Sequence, residues 1–381
     1  MKQAIVGPRI YSGEAFFDKH ALLFEAETIV GIVAKNNIPN EFIVKDVGDG
    51  VLAPGFIDLQ VNGGGGVLFN NSPTKESLQL MTNAHQFFGT TSIMPTVISD
   101  SIENLKACTN AVNKAIKDNP AIVGLHIEGP FFSHKYRGTH NENFISEWNP
   151  NYIELIQNLK DLQVILTIAP ECVPLEQIKL LSTMGVKIQA GHTDADFERI
   201  SEAINCGLSG FTHIYNAMSQ ISPREPGVVG ASLHFDEAIA SIIVDCHHVH
   251  PALVQLAFKQ KPKGKLLFVS DAMATIHSDD SFELYGEVLN DTNGKIVNAA
   301  GKLAGSSITQ IDAVKNAVNV CNIPLDEALS MASRYPAEYL GIDDHLGTLK
   351  AGHRVDIVHF DSNFNVLNVW GSGKQVKNEE K

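Results

Sequence analysis

The 381-residue chain is poor in basic residues: 29 lysines and arginines stand against 43 aspartates and glutamates, a formal net charge of −14. That balance excludes non-specific nucleic-acid binding, which needs a basic surface against phosphates. It leaves room for a small anion site, since one arginine or a few backbone amides can build one. Cysteine is scarce: Cys108, Cys172, Cys206, Cys246 and Cys321 are odd in number and widely spaced, with no CxxC pair. A zinc knuckle and a redox motif are thereby excluded, and the usage suits a reducing compartment. No stretch of 18 apolar residues exists, so no transmembrane helix and no membrane partner are expected. The first 30 residues carry Glu14, Asp18, Glu25 and Glu27 among short apolar runs, which is not the pattern of a signal peptide. A cytoplasmic location is the expectation. The run Gly63-Gly64-Gly65-Gly66 lacks dinucleotide-binding spacing.

What is present is a repeated strand–helix rhythm. Short, nearly continuous apolar runs fall at 55–60, 91–97, 121–128, 164–170, 187–192, 210–214, 240–245 and 266–271. Such runs suit parallel strands buried on both faces. Helices are predicted at 74–88, 101–117, 149–160, 174–184, 194–206, 305–320 and 325–334. Eight strands with intervening helices predict a (β/α)₈ barrel over 51–346. The ends of the chain are different: 4–6, 21–24, 29–33 and 43–47, then 356–360 and 366–370, read as short strands without helices. Residues 1–50 and 347–381 are expected to pair into one small β domain.

Several predicted strands end in chemically capable residues: Gln60, Glu128, His192, His213, Asp245 and Asp271. In a barrel these ends form the mouth where active sites sit. Each residue has an ordinary explanation. Glu128 could form a structural salt bridge or cap, His192 and His213 could be core histidines, and Asp271 could cap the segment that begins at Ala272. Together, one glutamate and two histidines are a familiar ligand set for a borderline divalent ion. Three protein ligands leave a position for water, whose pKa the ion lowers. Asp271 could take that water's proton and pass it to a leaving amine.

At this point the sequence resembles a known family, the N-acetylglucosamine-6-phosphate deacetylases of the amidohydrolase superfamily. The resemblance spans essentially the whole chain. It rests on Pro54-Gly55-Phe56-Ile57-Asp58-Leu59-Gln60-Val61-Asn62-Gly63, His126-Ile127-Glu128-Gly129-Pro130-Phe131 and Lys135-Tyr136-Arg137-Gly138-Thr139-His140. Ala190-Gly191-His192-Thr193, Thr212-His213-Ile214-Tyr215-Asn216-Ala217-Met218, Ser270-Asp271-Ala272 and Leu303-Ala304-Gly305-Ser306 follow in order. Many amidohydrolases carry a His-x-His pair on the first strand. Here Gln60 and Asn62 stand in its place, and neutral amides are poor ligands for a zinc-type ion.

The resemblance implies one principal metal at Glu128, His192 and His213: zinc first, with iron, cobalt, nickel or manganese also compatible. It implies Asp271 as general base and acid and His140 beside the scissile amide. Asn216, Ala217, Arg224, His248, Leu303, Ala304 and Gly305 are implied as substrate contacts, Arg224 reaching across a homodimer interface. The reaction implied is hydrolysis of N-acetylglucosamine-6-phosphate to glucosamine 6-phosphate and acetate, in amino-sugar catabolism and recycling. Two alternatives stand beside it: another mononuclear amidohydrolase with a different N-acyl or cyclic amide substrate, and an inert barrel that only binds a small molecule. The predicted fourth strand, 164–170, has no lysine to carboxylate, which argues against a dihydroorotase-like site.

Overall fold

The computed structural model of the protein describes residues 1–159 and 162–378. Eight parallel strands form one sheet: β1 (Phe56–Val61), β2 (Thr90–Ile98), β3 (Gly124–Glu128), β4 (Gln163–Ile168), β5 (Lys187–Ala190), β6 (Leu208–Phe211), β7 (Ile239–Ile242) and β8 (Leu266–Phe268). Each strand pairs with its sequence neighbour, so the sheet runs in chain order from β1 to β8. Most of their residues are buried, because side chains fill the inside and helices cover the outside. One contiguous apolar cluster joins the strands to the helices packed around them. The result is a (β/α)₈-like barrel, closed everywhere by ladders except between β1 and β8.

That seam is held by other means. The buried Asp58 carboxylate on β1 accepts the backbone N–H of Ser270 at 3.2 Å, just past β8, and that of Gln60 at 3.2 Å. Beyond the strands, Asp271 N donates to Gln60 O at 3.0 Å and Asn62 N to Ala272 O at 2.9 Å. A single bridge, Val61 to Ala272, completes the closure. The residues that close the barrel are thus neighbours of those at its mouth.

A mixed six-stranded sheet joins the two ends of the chain. Ile357–Phe360 runs antiparallel to both Val51–Pro54 and Val366–Gly371, and Arg9–Tyr11 lies beyond Val51–Pro54. A four-stranded sheet of N-terminal strands lies apart from it in the pairing order. The pairing of the C-terminal segment with N-terminal strands matches the sequence expectation.

Three details differ from the sequence reading. First, β5, β6, β7 and β8 stop two or three residues before His192, His213, Asp245 and Asp271; His192, His213 and Asp271 take left-handed backbone angles (φ of 51°, 34° and 55°) that no strand contains. Second, the predicted helix 325–334 is broken at Ser333 into Leu325–Ala332 and Arg334–Leu340. Third, Gly227–His234 and Pro251–Gln260 are helices that the pattern did not signal. The former is buried almost all round and so lacks a polar face. Residue 160, the end of the predicted helix 149–160, lies outside the described residues. Among the described residues, no helix is long and apolar enough to cross a membrane.

Candidate active site

A pocket of about 310 Å³ opens at the C-terminal ends of the strands. At its floor three donor atoms converge. Glu128 Oε1 lies 3.2 Å from His192 Nε2 and 3.1 Å from His213 Nε2, and the two imidazole nitrogens are 3.1 Å apart. Bonds of about 2.0–2.1 Å to a tetrahedral ion would separate adjacent ligands by roughly 3.3 Å, close to these spacings. His192 Nδ1 donates to Tyr136 O at 3.0 Å, which leaves the Nε2 lone pair directed at the convergence point. The left-handed backbone at His192 and His213, which disfavours non-glycine residues by on the order of 1 kcal/mol or more each, turns both rings inward from the strand ends.

The electrostatics fit a cation. Burial would raise the Glu128 carboxyl, but its close contacts with His192 and His213 outweigh it and hold the group well below the usual carboxylate range. Burial would lower His213, and its contact with Glu128 reverses the shift upward. The site therefore favours a positive charge at its centre. Glu128, His140 and His192 also form a group whose ligating atoms lie within 4.8 Å of one another. That triangle is looser, and His140 Nδ1 is engaged elsewhere, so the set with His213 has the better geometry. In either grouping, Glu128 and two histidines make a site for one metal ion.

Asp271 stands over this floor. Its Oδ1 accepts from Gln60 Nε2 at 3.1 Å and from Asn62 Nδ2 at 2.7 Å. Burial first, and then the Glu128 charge, push its carboxyl up to about 7. A second hydrogen bond from Gln60 Nε2 reaches Glu128 Oε1 at 3.1 Å. The two amides that replace the His-x-His pair thus hold the carboxylates on either side of them.

His140 lines the pocket and is packed edge-on to Phe132, with its Nδ1 2.9 Å from Ser99 Oγ. Burial lowers it to about 3, so the ring is neutral. Asn216, Ala217 and His248 line the same pocket. His248 Nδ1 donates to Asp245 Oδ2 at 2.6 Å, leaving its other nitrogen free to meet a ligand. Leu303 and Gly305 are on the wall, whereas Ala304 is fully buried in a satellite apolar cluster. Arg224 is the residue the fold does not bring in. It lies exposed on the segment between Met218 and the helix Gly227–His234, outside the pocket wall. Its neighbour Glu225 is occupied by the backbone N–H groups of Phe197 and Gly227.

Sequence reasoning missed several participants. Lys302 adds a cationic side chain to the wall, and only its place directly before Leu303 could have marked it. His126, two residues before Glu128, bonds Leu59 O and Thr167 Oγ inside the barrel and supports β3 from beneath. Burial lowers it to about 4. Ser99 and Tyr285 carried no sequence signal.

A cation-seeking carboxylate–imidazole cluster beneath a protonatable aspartate, set in the mouth of a (β/α)₈ barrel, defines a metal-dependent hydrolase. The chain belongs to the amidohydrolase family, whose model matches residues 51–376. Within it, the chain is closely related to bacterial N-acetylglucosamine-6-phosphate deacetylases. It is 33% identical to that deacetylase from Haemophilus influenzae, over 99% of this chain and 100% of the relative. It is also 41% identical to an N-acetylgalactosamine-6-phosphate deacetylase from Shewanella sp. (strain ANA-3), over 87% of this chain and 84% of the relative. The crystal structure of N-acetylglucosamine-6-phosphate deacetylase from Pasteurella multocida superposes with a TM-score of 0.96 at 34% identity, covering 99% of this chain and 100% of that one.

Proposed function

We propose that this protein removes the acetyl group from an N-acetylated amino-sugar 6-phosphate, releasing acetate and the free amino-sugar phosphate, with N-acetylglucosamine-6-phosphate as substrate. The observation that carries this reading is the convergence of Glu128, His192 and His213 at 3.1–3.2 Å within the same pocket as Asp271. These three residues would hold one divalent cation, zinc foremost. When bound, the ion supplies Lewis-acid polarisation and acidifies water, the help that a resonance-stabilised amide requires.

Asp271 accepts the proton of the attacking water and returns it to the nitrogen as the C–N bond breaks, so one carboxyl serves both halves of the reaction. Burial raises this carboxyl above its ordinary value, which favours the return of the proton to nitrogen. Gln60 and Asn62 keep it aimed. His140 donates to the acetyl oxygen as negative charge develops there. Asn216 and Ala217 bind the 6-phosphate from within the chain, and His248 makes another contact to the substrate. Leu303 and Gly305 line the wall, while Ala304 contributes through its backbone.

Arg224 completes the phosphate site from a second copy of the chain. Its exposure away from its own pocket supports this, as do the exposed Ile221 on the same segment and Leu253 and Leu256 on Pro251–Gln260. Tyr215 Oη, donating to Leu253 O, ties that helix to the segment after β6. The guanidinium fork matches phosphate, and a symmetric dimer would deliver one arginine to each site.

A second reading differs only in the sugar: the N-acetylgalactosamine 6-phosphate epimer, favoured by the 41% identical Shewanella relative. Incubating metal-loaded protein with each epimer and following acetate release tests both. Rapid release from N-acetylglucosamine-6-phosphate supports the first reading, and a large preference for the galacto epimer replaces it with the second. Release from neither refutes both.

A further inference from the structure

We propose that Ser99 is the positioning residue that fixes the neutral His140 ring with its proton on Nε2, and that Tyr285 holds Ser99 in place. The proposal rests on the reading above in which His140 faces the acetyl carbonyl. Ser99 is the first residue after β2. Its backbone N–H donates to His140 Nδ1 at 3.3 Å, and its hydroxyl lies 2.9 Å from the same nitrogen. A backbone N–H can only donate. Nδ1 must therefore present its lone pair, and the proton of the neutral ring must sit on Nε2. Only that tautomer can offer Nε2–H as a donor to a developing oxyanion. The opposite tautomer would set N–H against N–H at Ser99.

The surroundings are built for this contact. A Cβ on Gly129 would fall 2.2 Å from Ser99 Oγ, so the hydroxyl occupies space that only glycine leaves, at a φ of +93°. Tyr285 lies in the turn between Phe282–Leu284 and Glu287–Leu289, and its Oη donates to Ser99 O at 2.6 Å. Arg137 Nη1 donates to His140 O at 3.0 Å. The hairpin, the end of β2 and the loop bearing His140 are thus linked through a single serine.

The test has two arms on zinc-loaded protein. In ¹⁵N-histidine-labelled protein, NMR with an H140Q variant for assignment reports which His140 nitrogen carries the proton. The expected result is Nε2–H, and a proton on Nδ1, or on both nitrogens, overturns the proposal. In the kinetic arm, S99A keeps the backbone N–H but removes the hydroxyl from Nδ1, and should lower kcat about tenfold with little change in KM, because the ring remains but its aim loosens. Ser99→Thr, which keeps the hydroxyl, should restore most of that loss. Unchanged kcat in S99A overturns the proposal. Should the protein show Nε2–H yet release no acetate from either sugar phosphate, the assigned reaction fails and the Ser99–His140 relation stands.

Discussion

At the scale of single residues, the chemistry depends on groups whose ordinary behaviour the fold has altered. His192 and His213 each contribute one nitrogen to the floor, so alanine at either should lower metal content and activity together. Elemental analysis showing full occupancy in both variants would contradict the ligand assignment. Asp271→Asn keeps the shape and loses the transferable proton. Its kcat should fall by about 10² to 10⁴ while the metal stays bound. The pH dependence follows from the same group. Burial, then Glu128, raise its carboxyl to about 7, and a bound cation opposes both effects. Hence kcat/KM should rise with pH as the carboxyl deprotonates, with a midpoint below 7. In metal-free protein, a carboxyl raised above its unfolded value stabilises the fold fully below about pH 4 and loses that contribution as pH rises through about 7. Added zinc should therefore raise Tm more at pH 8 than at pH 5, and an equal gain at both would count against the shift.

At the scale of elements, the barrel seam is the point of interest, because β1 and β8 share no ladder. Asp58 accepts two backbone N–H groups there, one from each side. Asp58→Ala would leave both donors buried without their partner and should cost about 2–4 kcal/mol. Urea unfolding measures that cost, and a loss under 0.5 kcal/mol would mean that packing alone closes the barrel. The strands were legible because buried parallel strands are continuous apolar runs, and Glu128, His192, His213 and Asp271 stood out at or just past their C-terminal ends. Their exact ends were not legible. Periodicity cannot register the left-handed turn at His192 or Asp271, which tertiary contacts enforce. The Gly227–His234 helix escaped for a related reason: buried on nearly every side, it has no amphipathic period to detect. Ser99 and Tyr285 were invisible because their role depends on a contact 186 residues apart in sequence.

At the scale of the whole molecule, the proposed phosphate site takes Arg224 from a second copy of the chain. An R224A chain and a D271N chain should each be nearly inactive, yet mixing them should recover activity. In a mixed dimer the D271N subunit lends its Arg224 to the intact Asp271 of its partner. No recovery, with subunit exchange and metal loading verified, would rule out the cross-subunit role and leave the single-chain site intact. On a substrate without the phosphate, the parent and R224A proteins should behave much more alike. The most direct test of the central claim, one cation held by Glu128, His192 and His213 and driving deacetylation, is a zinc titration of metal-stripped protein followed by acetate release from N-acetylglucosamine-6-phosphate. Activity should climb from near zero and level off at one zinc per chain. Full activity in the stripped protein, or none after one equivalent has bound, would contradict it.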